Sequence, residues 1–275
     1  KKIVAITAAM REGTGLVDYS SKFPERFFDV GIAEEHAALF ASGLATQGLK
    51  PFLTIYSTFM QRAFDMLVHD IGIQNLPVRL CMDRAGLSGD DGPTHHGLFD
   101  IGYLRHVPNF VFMQPKDEEE FVDMLWTMAN YNSGPIAVRY PRGAGTGAKP
   151  KDEPQKLEIG KAEVLKEGTD IGLIGLGHLF SMADQTCTSL EEQGHSVELM
   201  NPRFIKPMDS TAIKKMASKV KVICRRFPWS AVLTRRNCLG FRLLLYGQRR
   251  VPVPPASIIA IIILFSTMFK LFSYF

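Results

Sequence analysis

The last 66 residues of this 275-residue chain contain no aspartate and no glutamate. Residues 1–209 hold 20 lysines and arginines against 28 acids, a balance of −8, while residues 210–275 hold 12 basic residues alone. The overall charge of +4 describes neither part. Such a break marks a change in composition. The basic residues follow no nucleic-acid-binding motif, so no nucleic-acid partner is expected. Cysteine is scarce as well. Cys81, Cys187, Cys224 and Cys238 form no CxxC pair and no metal-ligand spacing, which excludes a disulfide framework and fits reduced thiols in a cytoplasmic protein. The N-terminus KKIVAITAAM has too short an apolar run for a secretory signal. It begins at Lys1 rather than Met, so the chain reads as a piece of a longer protein. The uncharged stretch Ala256–Phe269 has 14 residues. A bilayer needs roughly 20, so no membrane partner is expected.

Acids are already gone after Asp209, and from Arg225 onward arginine pairs appear and hydrophobic periodicity fails together. A frameshifted or chimeric tail explains all three. A membrane-anchoring tail with an Arg-rich flank and an ordinary buried terminus are the alternatives.

Before that point the composition is ordinary for a soluble globular protein, with 46% apolar and 22% charged residues. Short apolar runs alternate with helical patterns. Strands are expected at Ile3–Thr7, Phe27–Val30, Pro51–Ile55, Val78–Met82, Phe110–Met113 and Ile136–Tyr140, and helices at Ala33–Gln47, Thr58–Ile73 and Lys116–Tyr131. A second alternation follows: strands Ala162–Leu165, Ile171–Ile174, Val197–Met200 and Val220–Cys224, with helices Phe180–Gln193 and Ser210–Ser218. The fold class is therefore α/β, with two doubly wound, mostly parallel-sheet domains. Residues 1–142 form the first and 159–224 a shorter second one. The Gly-, Pro- and Lys-rich segment 143–158 joins them as a linker, and 225–275 is the aberrant tail.

Parallel sheets bind ligands at the carboxyl ends of their strands. Glu34, Arg84 and Arg142 each follow such an end. Tyr56, Phe59 and Arg62 recur at a helical spacing of three and are expected on one face of a helix. A lone carboxyl beside an aromatic platform suits a flat, nitrogen-rich heterocycle. Asp83–Gly97 is a Gly-rich strand-end loop carrying Arg84, Asp91, His95 and His96. Its Gly89-Asp90-Asp91-Gly92 leads into PTHHG instead of a helix and is not read as a metal site. Gly175-Leu176-Gly177 is a tight turn with too few glycines for a dinucleotide site.

The segments GIAEEHA, IYSTFMQRAFD, DRAGLSGDDGPTHHG and RYPRG, in that order, resemble the thiamine-diphosphate-dependent transketolase-like enzymes. The resemblance covers residues 1–224, as a pyrimidine-binding domain and a partial C-terminal domain. It implies that Glu34 bonds the aminopyrimidine N1′ and favours the imino form of the ring, which then takes the proton from C2 of the thiazolium. It implies that Phe59 stacks on that ring, with Tyr56 and Arg62 in the same pocket. It further implies that Arg84 and Arg142 hold the phosphate of a triose phosphate, and that Tyr56, Asp91 and His95 line the acceptor pocket, with His95 available for proton transfer. No metal ligand is expected in this chain. Mg²⁺ and the cofactor diphosphate belong to a domain outside it. The loop and RYPRG favour the branch that joins a two-carbon unit of pyruvate to glyceraldehyde 3-phosphate, feeding isoprenoid, thiamine and pyridoxal synthesis, as a homodimer when full length. The alternatives are the C-terminal half of a split transketolase, the beta subunit of a 2-oxo acid dehydrogenase, or an inactive fragment or non-catalytic partner of an intact enzyme. One departure is Glu35, where the family commonly has Gln.

Overall fold

A computed structural model of the chain describes residues 2–149, 153–226 and 231–234. The expectations for the tail 225–275 therefore lie almost wholly outside the described residues. The chain divides into two units, Lys1–Lys161 with Arg203–Met208, and Ala162–Pro202 with Asp209–Phe275.

The first unit runs β1 (Ile3–Thr7), α1 (Val17–Lys22), β2 (Phe27–Asp29), α2 (Glu34–Thr46), β3 (Lys50–Tyr56), α3 (Ser57–Met60), α4 (Phe64–Met66), β4 (Arg79–Asp83), α5 (Asp100–Leu104), β5 (Val111–Met113), α6 (Glu118–Asn130) and β6 (Ile136–Arg139). The second contains β7 (Glu163–Lys166), β8 (Ile171–Gly175), α7 (Phe180–Glu192) and β9 (Val197–Asn201). The chain then returns to the first unit for β10 (Phe204–Lys206), and completes the second with α8 (Ser210–Lys219), β11 (Val222–Arg226) and β12 (Ala231–Thr234).

The first sheet has seven strands in the order β10-β5-β6-β4-β3-β1-β2. Six are parallel, and β10 is antiparallel to β5. Every residue of β4, β5 and β6 is buried. Continuous burial means that both sheet faces are covered; the middle residues are apolar, and the charged Arg79, Asp83 and Arg139 stand at strand ends. Val111, Met113, Ile136 and Val138 pack with Met124 and Met128 of α6 and with Phe204 of β10. The helix α6 starts where Asp117 accepts a hydrogen bond from the Glu120 amide at 2.8 Å, with three glutamates in its first turn.

Two features differ from the sequence-based expectation. The helix expected over Thr58–Ile73 changes pitch: α3, a 3₁₀ turn Gln61–Ala63, α4, then a π-turn Leu67–Gly72. Tyr56 is not on it. It ends β3, paired with Asp83 of β4. The segment 143–158, expected as a linker, leads into Leu157 and Ile159, which pack against the first core. Asp123 and Thr127 side chains accept from the Gln155 and Leu157 amides.

The second sheet has the order β12-β11-β8-β9-β7. Its inner pairs are parallel and its two edge strands antiparallel. Leu173, Phe180, Ala183, Cys187, Val197 and Leu199 form one side of its core. Gly175 lets α7 approach, since a Cβ there would lie 2.8 Å from the Ala183 methyl. Among the described residues no helix is long and apolar enough to cross a membrane.

Candidate functional site

All the residues singled out for the site lie in the first unit, after the carboxyl ends of its parallel strands. Glu34 opens α2, just beyond β2. Tyr56 ends β3, and Phe59 follows in α3. Arg84 follows β4 and Arg142 follows β6.

They form one continuous row of contacts. The Glu34 side chain is 2% exposed, and its Oε1 accepts from Arg62 Nη1 at 2.5 Å. Arg62 is 49% exposed, so it is not a core arginine but one whose charge reaches the surface. Its guanidinium carbon lies 4.9 Å from the centroid of the Phe59 ring, within cation–π range. Phe59 and Tyr56 stack with centroids 5.7 Å apart and planes at 19°. The Arg84 guanidinium covers the other side of the row, 3.8 Å from the Tyr56 centroid. Arg84 Nε donates to Asp91 Oδ2 at 2.9 Å, and its Nη1 donates to Asp83 Oδ2 at 3.1 Å and to the Gly13 carbonyl at 3.2 Å. Arg142 Nη1 lies 3.3 Å from Asp91 Oδ1 and donates to the Ser88 carbonyl at 3.3 Å. Asp91 thus sits between two arginines. The His95 ring meets Phe59 edge-on at 5.2 Å and lies 6.5 Å from Tyr56.

The electrostatics follow from burial. The Asp83 carboxyl is pushed up by desolvation, with Arg84 pulling the other way. The Tyr56 phenol is also pushed up by burial, and again Arg84 opposes the shift. Arg84 holds a left-handed backbone, φ 56°, a conformation costly for a non-glycine residue. The Asp83 side chain supports it by accepting from the Arg84 amide at 2.6 Å.

Several members of the site escaped the sequence reading. Gly13 lies in the loop after β1, where a Cβ would come within 1.7 Å of the Tyr56 hydroxyl. Ser88 is fully buried and touches His95, His96 and Arg142. The signal for Gly13 was a glycine-containing turn after a buried strand. For Ser88 no local signal exists, because its partners come from the far side of its own loop and from the segment after β6. Among the described residues no group of three or more His, Cys, Asp or Glu is placed to hold a metal ion.

Comparison with known proteins gives the family. The family described as Transketolase, pyrimidine binding domain matches residues 1–146, and Transketolase, C-terminal domain matches residues 160–224. The chain belongs to the transketolase family. The 1-deoxy-D-xylulose-5-phosphate synthase of Acidobacterium capsulatum is 58% identical over 247 residues, covering 87% of this chain and 39% of that protein. The enzyme of the same name from Methylacidiphilum infernorum is 54% identical over 223 residues, covering 81% of this chain and 35% of its own length. The chain thus spans about two fifths of the curated relatives it matches. Among solved structures, a split-gene transketolase described as an inactive beta4 tetramer superposes with a TM-score of 0.72 at 28% identity, over 82% of this chain and 72% of that one. A transketolase variant from Pichia stipitis shares the fold, with a TM-score of 0.63 at 18% identity over 82% of this chain and 36% of that one.

Proposed function

We propose that this chain forms the pyrimidine-binding and C-terminal part of an enzyme that condenses pyruvate, with loss of carbon dioxide, and glyceraldehyde 3-phosphate to 1-deoxy-D-xylulose 5-phosphate. The observation that carries this reading is the row itself: a buried carboxylate at one end, an aromatic platform in the middle and two arginines at the other. The relatives at 54–58% identity bear that activity as their name.

The residues present fit the aminopyrimidine of thiamine diphosphate. Glu34 is a buried acid whose partner, the half-exposed Arg62, lies over the Phe59 ring. Bound there, thiamine diphosphate supplies the electron sink that stabilises negative charge on the pyruvate carbonyl carbon as carbon dioxide leaves. Glu34 holds a proton between its carboxyl and a ring nitrogen. Phe59 and Tyr56 exclude water from that contact, which strengthens it. Arg84 and Arg142 present two guanidinium forks, which suit a phosphate dianion. His95 is the group we assign to proton transfer at the aldehyde oxygen of the acceptor.

The diphosphate and its Mg²⁺ are assigned to the portion of the relatives that this chain does not span. Assembly as a homodimer when full length is part of this reading; Ile32, Leu87 and Phe99, each exposed, are apolar surface that a partner would cover. The buried free thiols Cys81 and Cys187 support a cytoplasmic setting.

The test is an assay of the chain co-expressed with the N-terminal portion of a relative, with thiamine diphosphate and Mg²⁺. Product from pyruvate and glyceraldehyde 3-phosphate is expected. Turnover of a ketose donor, or of a 2-oxo acid with lipoamide, in its place would move the chain to a split transketolase or a dehydrogenase subunit. The purified chain alone is expected to be silent. Sugar-phosphate product from it with cofactor and Mg²⁺ would contradict the assignment of the diphosphate site.

A further inference from the structure

His96 has no place in the proposed chemistry, yet its ring makes a specific contact. The loop 86–97 is closed at its neck by two hydrogen bonds between Gly86 and Gly97, each 2.8 Å. Arg139, buried under the neck, also donates to the Gly97 carbonyl at 3.4 Å. Inside the loop, Ser88 is 2% exposed and uses each of its polar atoms. Its amide donates to His96 Nδ1 at 3.0 Å, its hydroxyl donates to the His95 carbonyl at 2.7 Å, and its carbonyl accepts from Arg142 at 3.3 Å. Ser88 therefore links His96 to the two groups that we place against the acceptor substrate.

The chemistry of that contact is demanding. An amide can only donate, so Nδ1 must offer a lone pair. An imidazolium carries hydrogens on both nitrogens and has no lone pair to offer. If the acceptor is lost, the buried Ser88 amide is left unpaired, and a buried donor without a partner is costly. The cheapest relief is for Ser88 to turn, which carries away its contacts to Arg142 and to the His95 carbonyl.

We infer that His96 is a positioning residue that acts as a hydrogen-bond acceptor: through the Ser88 amide it fixes Arg142 and His95 for a phosphorylated acceptor substrate. This rests on the reading of Arg84 and Arg142 as phosphate ligands. The experiment titrates inorganic phosphate into the full chain by calorimetry and compares His96→Leu, His96→Gln and Arg142→Ala. Leucine has no acceptor, whereas the glutamine amide oxygen supplies one. His96→Leu should weaken phosphate binding about tenfold, the effect of one lost buried hydrogen bond. His96→Gln should stay within about threefold of the unsubstituted chain. Equal binding in all three His96 forms, with Arg142→Ala weakened, overturns the inference and leaves the phosphate reading standing. No phosphate binding by the unsubstituted chain, or none lost in Arg142→Ala, overturns that reading and this inference with it. A second measurement needs no variant. The imidazole ¹⁵N spectrum should show His96 with an unprotonated, hydrogen-bonded Nδ1, and a proton on Nδ1 would contradict the assignment.

Discussion

Arg139 and Arg142 stand three residues apart at the end of β6, yet they do opposite work. Arg139 is buried and saturated in the sense that each nitrogen of its guanidinium donates. Its guanidinium meets both oxygens of Asp100 at 2.8 and 3.2 Å, Gln114 Oε1 at 2.8 Å and the Gly97 carbonyl at 3.4 Å. Arg142 is 39% exposed and shares one carboxylate, Asp91, with Arg84. Arg79 extends the first class. It is caged by the carbonyls of Met128, Pro77 and Tyr131 and the side chain of Asn132. Among the described residues no carboxylate pairs with it, and burial pulls its guanidinium down to about 10. A saturated, buried arginine holds the fold. An arginine that is partly open and sharing its acceptor has bonding capacity left for a ligand.

The largest effect should come from the saturated class. Arg139→Met leaves Asp100 buried without its partner, and breaking a buried pair in this way costs about 3–5 kcal/mol. Urea unfolding would measure it. A loss under 1 kcal/mol would erase the distinction between the two arginines. The open class should respond in binding instead. Arg142→Ala should cost about 1.5–3 kcal/mol in phosphate affinity, the worth of a charge-assisted hydrogen bond. It should cost less than about 1 kcal/mol in stability, as exposed ion pairs do. Calorimetry and urea unfolding on the same sample read both numbers, and a reversed order would break the comparison.

The smallest effect probes the buried layer with a proton. Burial raises the Cys81 thiol, on β4 two residues beyond Arg79, from 9.0 to about 12. A raised folded value means that the native state binds the proton more tightly than the unfolded chain. The associated stability is complete below pH 9 and is lost as pH climbs toward 12. Between pH 8 and pH 10 the difference in unfolding free energy between the unsubstituted chain and C81S should shrink by about 1 kcal/mol. A constant difference would mean that water reaches this thiol in the folded chain.

Most strands of the first sheet were legible because they are short apolar runs bounded by turn residues, buried throughout in β4, β5 and β6, although β2 is largely exposed. β1 falls on the expected Ile3–Thr7, and β2 to β6 fall within a residue or two of the expected bounds. β10 was not legible. Phe204–Lys206 has only three residues, and its partner β5 lies some 90 positions upstream, so nothing local marks it as an edge strand of the other sheet. The pitch change after Met60 was hidden too, because a period near three fits an α-helix and a 3₁₀ turn alike. For Tyr56 the spacing pointed to a helix face, while backbone pairing with Asp83 made it a strand end. The strand ends pointed to one region, and the structure brings Glu34, Tyr56, Arg84 and Arg142 into one row there. They could not tell Arg139 from Arg142, since saturation depends on Asp100 and Gln114, brought in from other elements. Nor could they show His96 at work, since its partner is a backbone amide.

The most direct test follows the proton at C2 of thiamine diphosphate. With the chain completed by the diphosphate-binding portion of a relative, exchange of that proton for deuterium is read by NMR. The unsubstituted protein should exchange it at least about a hundredfold faster than Glu34→Ala, in the range of positioned acid–base groups. Equal exchange in the two would contradict the placement of the Glu34 carboxyl on the pyrimidine ring.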